Sequence, residues 1–185
     1  MKKLFYLFSI ISLSLASCSS GDEGPVGPPG PQGPPGADGL IGTVFDVTAD
    51  FNAGNDYSAL VTYSDFTDVE VFETDVVLVY LRVGQDGEAG GEPVYLWRLL
   101  PQTYYVDGGT MQYNYDYSYF DVNIFLNGDV ELSGLGSVFL DDQVFRVAIV
   151  PADFAQTTGV NVADYNAVMS AMKVDTQDIP ELELQ

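Results

Sequence analysis

Apolar and polar residues alternate along much of the chain after residue 42. Phe45, Val47, Ala49 and Phe51 fall on one face while Asp46, Thr48 and Asp50 fall on the other, the two-residue period of a half-buried strand. The turn-forming cluster Asn52-Ala53-Gly54-Asn55-Asp56 separates this run from a second one, Tyr57 to Tyr63. Asp75 to Val83 is almost wholly apolar and β-branched, which predicts a central strand buried on both sides. Residues 85 to 91 (QDGEAGG) read as a loop, and Val94 to Leu100 as the next strand, closing at Pro101. Asp107-Gly108-Gly109 signals a hairpin between Tyr104–Val106 and Thr110–Tyr117, and Asn127-Gly128 a second between Phe120–Leu126 and Val130–Leu132. Gln143 to Val150 is a further strand ending at Pro151. From Val162 the period changes: Val162, Tyr165, Val168, Met169 and Met172 lie at helical spacing, with Asn161 as the expected N-cap. Residues 174–185, acidic and interrupted by Pro180, read as a frayed tail. The expectation for residues 43–173 is mainly β: an antiparallel β-sandwich or barrel with a short C-terminal helix.

The N-terminus is patterned differently. Lys2 and Lys3 precede an apolar run from Leu4 to Ala16, 13 residues long, which is too short for a stable span of about 20 and has the layout of a secretory signal peptide over residues 1–17. Its end, Leu15-Ala16-Ser17-Cys18, resembles the lipobox of bacterial lipoproteins. That resemblance implies that Cys18 is diacylated, with palmitate-type chains, and becomes the first residue of the mature protein, residues 18–20 forming its lipidated N-terminus. Such chains contribute about 0.8 kcal/mol per buried methylene and together exceed what stable membrane anchoring requires. Ser19 in place of aspartate resembles the sorting rule for the outer membrane, and Asp22-Glu23 resembles short acidic signals for surface display. Attachment facing the periplasm is the competing reading.

Residues 21–42 carry glycine at every third position, 21, 24, 27, 30, 33, 36, 39 and 42, with six of the chain's 10 prolines between them. Strict Gly-X-Y periodicity is the collagen signature, because only glycine fits the axis of three polyproline II strands. The segment resembles the collagen-like repeats of bacterial surface proteins. Seven triplets make a marginal triple helix, so a homotrimer through residues 21–42 needs help from the head or from the lipid anchors, which raise effective concentration. Stacked Asp22, Glu23 and Asp38 oppose it. The alternative is a monomeric polyproline II spacer, and either form reaches roughly 60 to 70 Å. The layout of lipobox, collagen-like stalk and β head resembles Gram-negative collagen-like lipoproteins. It is also analogous in plan to the jelly-roll heads on collagen stalks of the complement family, without a shared head motif.

Composition narrows the chemistry. The 185 residues hold 27 Asp plus Glu against 6 Lys plus Arg, a net charge of −21. Loss of Lys2 and Lys3 with the leader leaves Arg82, Arg98, Arg146 and Lys173 against the same acids, a balance of −23. That charge argues against nucleic acid, whose phosphates require clustered cations. The chain has no histidine and one cysteine, which excludes imidazole-dependent catalysis, a disulfide within the chain and a Cys/His zinc site. No cofactor is expected and the protein reads as non-enzymatic. Acidic clusters at Asp65, Asp68, Glu70, Glu73 and Asp75, at Asp86, Glu88 and Glu92, and at Asp141–Asp142 match no EF-hand loop and read as solvated surface rather than metal ligands.

Within the head the most conspicuous feature is MQYNYDYSYF, residues 111–120, in which Tyr113, Tyr115, Tyr117 and Tyr119 share one parity. Exposed, that face would stack sugar rings. Buried, it would pair across strands with Tyr104, Tyr105, Phe120 and Phe125. Trp97, the single tryptophan, admits the same two readings. The sequence therefore leads to a lipid-anchored envelope protein whose stalk presents an acidic β head for adhesion or structural interaction with an envelope protein. A glycan-binding module built on the tyrosines and Trp97 is the alternative.

Overall fold

The computed structural model describes residues 42–65, 71–176 and 178–184. The leader 1–17, Cys18, the repeat up to residue 41, and Asp68 and Glu70 of the first acidic cluster lie outside the described residues. Nine strands are described: β1 (Thr43–Ala49), β2 (Ser58–Thr62), β3 (Val76–Ala89), β4 (Glu92–Leu99), β5 (Gln102–Val106), β6 (Gly109–Tyr117), β7 (Asp121–Gly128), β8 (Gln143–Val150) and β9 (Glu181–Glu183). They form two separate sheets, ordered β4-β3-β8-β1-β9 and β2-β7-β6-β5. All pairings are antiparallel except β1 with β9. The architecture is thus a sandwich and not a closed barrel.

The alternation of apolar residues decides which faces meet. Phe45, Val47, Val77, Val79, Phe145 and Val147 from the five-stranded sheet pack against Val61, Met111, Tyr113, Val122 and Ile124 from the four-stranded one. Phe51 joins Tyr113 and Phe145 edge-to-face at 6.0 and 5.9 Å, the arrangement ring quadrupoles favour. Each large apolar side chain removed from water here contributes about 1.5–3 kcal/mol.

The opposite face of the five-stranded sheet is covered too. Val44, Leu78, Tyr80, Ala148 and Val150 pack under Val168, Met169 and Met172 of the helix Tyr165–Met172. This second layer explains why Val77–Leu81 and Val144–Val150 are buried at consecutive positions: both of their faces are dry.

Several elements differ from the sequence expectation. Residues 85–89 are not loop: β3 runs on to Ala89 and pairs with β4 through two irregularities in register, leaving Gly90–Gly91 as the turn. Asn127-Gly128 is not a hairpin turn but the end of β7, and residues 132–134 form a single 3-10 turn instead of a strand. The helix is capped by Asp164, which accepts from the Ala167 amide at 3.1 Å, while Asn161 accepts from the Ala163 amide in the preceding turn. The tail is not frayed, since Glu181–Glu183 adds a parallel edge strand to β1 and the Asp46 amide donates to the Pro180 carbonyl at 2.9 Å.

Candidate functional site

The tyrosine alternation lies on β6, and its strand parity is as expected, but the face is the inner one. Tyr113 is 1% exposed and its hydroxyl donates to the Phe139 carbonyl at 2.7 Å. Tyr115 is half-buried and donates to the Val77 carbonyl of the opposite sheet at 3.1 Å. Burial raises the pKa of both phenols. Tyr117 stacks on Tyr115 at 6.2 Å and is 44% exposed, and Tyr119, 46% exposed, lies beyond the strand end beside Phe120. The four rings therefore grade from core to rim and present no common exposed platform. Trp97 belongs to the other sheet.

That other sheet carries a more organised constellation on its outer face. Antiparallel register aligns Leu99, Tyr80, Arg146 and Asp46 side by side across β4, β3, β8 and β1, with Glu181 of β9 opposite Asp46. Arg146 is 5% exposed. Its Nε and Nη2 donate to the two carboxylate oxygens of Asp46 at 2.6 and 2.7 Å, and its Nη1 donates to the Tyr165 hydroxyl. Its Cζ lies 4.2 Å from the centroid of the Trp97 ring, which also stacks on Tyr165 at 5.6 Å. Burial alone would lower the Arg146 pKa, but the hydrogen-bonded Asp46 carboxylate outweighs it and the net shift is upward. Burial likewise raises Tyr165. The planar guanidinium suits both the bidentate carboxylate and the aromatic face. Tyr80 completes the cluster, edge-on to Tyr165 at 5.4 Å and donating to the Val162 carbonyl at 2.8 Å.

Above this base lies a cleft of about 630 Å³, within the size range of ligand sites. Asp46, Arg146, Trp97 and Tyr165 line it from the buried side, and exposed Glu92, Tyr95, Asn166 and Glu181 line it toward solvent. Arg82 also lines it, its Cζ 4.6 Å from the Tyr95 ring centroid. A second concavity of about 400 Å³ shares Arg82 and Tyr95 and continues to Val138, Asp142 and Gln143. Among the described residues no three His, Cys, Asp or Glu side chains gather as a metal site.

Of these residues the sequence singled out Trp97 as a ligand-binding candidate, and it weighed Glu92 and Asp142 only as acidic surface. Asp46, Arg82, Tyr95, Arg146 and Tyr165 went unmarked as site residues, although a signal existed: three of the four cations beyond the leader interrupt otherwise apolar strands, at LRV, WRL and FRV, and the last of them, Arg146, is buried. A charge in such a run is almost never buried without a partner. No protein-family model, curated protein or solved structure matches this chain. Fold and site thus define its class by themselves: a two-sheet β-sandwich with a helical outer layer and an aromatic, arginine-containing cleft.

Proposed function

We propose that this chain is a lipid-anchored, non-enzymatic envelope protein, similar to Gram-negative collagen-like lipoproteins, whose stalk presents the acidic β-sandwich for adhesion at the outer face of the outer membrane. The observation that carries this reading is the order of parts along the chain. A charged-then-apolar leader ends at Cys18, the Gly-X-Y repeat follows at once, and β1 begins at Thr43, one residue after the last repeat glycine. Repeat and head are thus contiguous in sequence, and a polyproline II segment of that length would reach roughly 60 to 70 Å. A homotrimer through residues 21–42 belongs to this proposal.

Replacing Cys18 with serine tests it. Acyl labelling and retention in the outer-membrane fraction should both vanish, and on intact cells the wild-type head should be accessible to added protease. Unchanged retention of Cys18→Ser would refute the anchor, and protection of the head until the outer membrane is opened would refute display. One observation favours a glycan-binding role within this scheme: the tyrosines of β6 do not supply a platform, but the cleft around Tyr95 combines an exposed ring with polar side chains of both signs.

A further inference from the structure

We propose that the outer-face cleft of the five-stranded sheet binds a neutral glycan chain, with Tyr95 as the stacking platform and Arg82 as the hydrogen-bonding fork. The proposal rests on the reading of the head as a binding module and gives that module its ligand class and residues.

The two arginines of the cleft are in different states. Arg146 is fully engaged by Asp46, Tyr165 and the Trp97 ring. Arg82 lies over Tyr95 and, among the described residues, its guanidinium has no hydrogen-bond or carboxylate partner. Arg98 and Lys173 likewise have no carboxylate partner among the described residues, but of these three cations only Arg82 lines the cleft. Its five N–H donors are held in a planar fork by the ring beneath. Acceptors face the same space, Glu92 and Glu181 being exposed in the cleft lining, with Asn166 and Thr176 able to donate or accept. Vicinal hydroxyls, each both donor and acceptor, match such a mixed set, whereas a purely anionic or purely cationic ligand matches half of it.

The apolar part of the site is equally divided. Both the Arg146 guanidinium and the Tyr165 ring lie against Trp97, so its surface is already used. Tyr95 is 38% exposed; Arg82 lies over its ring and Trp97 meets it edge-on at 6.5 Å, so a sugar would stack on the part of the ring that these leave open, with Val94, 41% exposed, beside it in the cleft lining. The buried Arg146–Asp46 pair and stacked Trp97 and Tyr165 form a rigid base, so little ordering cost falls on binding. The adjoining concavity that shares Arg82 and Tyr95 gives a track longer than one sugar ring, pointing to a chain rather than a monosaccharide. Long-range repulsion from a strongly acidic head disfavours polyanionic glycans and leaves neutral ones unaffected.

The experiment measures binding of the full chain as isolated from cells, acylated or not, in detergent to laminarin, yeast mannan, dextran, galactan and xylan, with polygalacturonate and chitosan as charged counterparts. Binding to at least one neutral polymer is expected, weakened at least tenfold by Tyr95→Ala and by Arg82→Gln, retained in Tyr95→Phe, and unchanged in Tyr117→Ala and Tyr119→Ala. Thermal midpoints of all variants, measured in parallel, separate lost recognition from lost folding. Three outcomes overturn the proposal: no binding to any neutral polymer, binding to chitosan or polygalacturonate alone, or neutral-glycan binding that Tyr95→Ala and Arg82→Gln leave intact in folded protein. Anchoring does not enter this assay. Failure of the display reading would appear in the Cys18→Ser fractionation, and failure of the glycan site would appear here.

Discussion

Asp46 and Arg146 form the only ion pair among the described residues, with side chains 15% and 6% exposed. Desolvating two charges costs several kcal/mol, which bidentate geometry and the added Tyr165 and Trp97 contacts offset. Through the Tyr165 hydroxyl the pair also ties the helix Tyr165–Met172 to the sheet. Asp46→Ala should cost about 3–5 kcal/mol by leaving Arg146 buried and unpaired, whereas Asp46→Leu combined with Arg146→Met should cost much less than the sum of the single changes. Urea denaturation of the four proteins in a double-mutant cycle checks this, and additive costs would contradict it. The phenols of the core make a second prediction at this scale. Burial raises the pKa of Tyr63, Tyr80 and Tyr113 well above the ordinary value near 10. A raised folded-state pKa contributes stability that is complete below pH 10 and lost as pH climbs toward it, at about 1.4 kcal/mol per pH unit for each phenol kept neutral. Unfolding midpoints should accordingly hold steady up to about pH 10 and then fall steeply, with phenolate absorbance from these three rings rising together with unfolding.

Among the elements, β7 shows how local chemistry misdirects. Asn127-Gly128 carries a strong hairpin signal, yet Gly128 pairs with Met111, and a Cβ there would strike the Thr110 carbonyl oxygen. The glycine serves close strand approach rather than a turn, and Asp129 continues the contact, its amide donating to the Thr110 carbonyl at 3.1 Å. Gly128→Ala should destabilise the head by about 1–3 kcal/mol, read as a shifted denaturation midpoint with an unchanged m-value. A neutral effect would mean that β6 yields easily. Strand positions were legible in the sequence: β1, β2 and β6 lie within a few residues of where alternation puts them, and β4 and β8 within a few residues of the apolar runs that end at Pro101 and Pro151. What depended on distant partners was not. The extension of β3 to Ala89 is held by pairing with Glu92–Leu99, and β9 exists because β1 offers its edge to residues 181–183. The inward aim of Tyr113 and Tyr115 follows the same rule, since parity tells which residues share a face but not which face is dry. The Arg146 cluster was hidden for a similar reason, since its members come from residues 46, 97, 146 and 165 and meet only through sheet order.

At the scale of the whole molecule, charge and tether act against each other. The chain without its leader carries −23, and three copies joined through residues 21–42 would hold three such heads near one axis. Seven Gly-X-Y triplets supply little triple-helix stability of their own, and repulsion between such acidic heads would act against it. The proposed lipid anchoring would oppose that repulsion by raising local concentration, and salt opposes it by shortening the Debye length from about 30 Å at 0.01 M to about 8 Å at 0.15 M. A trimer should therefore form when the acylated protein shares a micelle at moderate or high salt, and dissociate when acyl chains and salt are both removed. Deleting residues 21–42 should abolish it under every condition. Sedimentation equilibrium in density-matched detergent, with and without those residues, measures this directly. A mass of one chain at high salt with the acyl groups present would leave the repeat as a stiff monomeric spacer. A trimer that survived the deletion would place the contacts in the head instead, where the exposed Tyr117, Tyr119 and Phe120 at the rim of the sandwich would be the first residues to test.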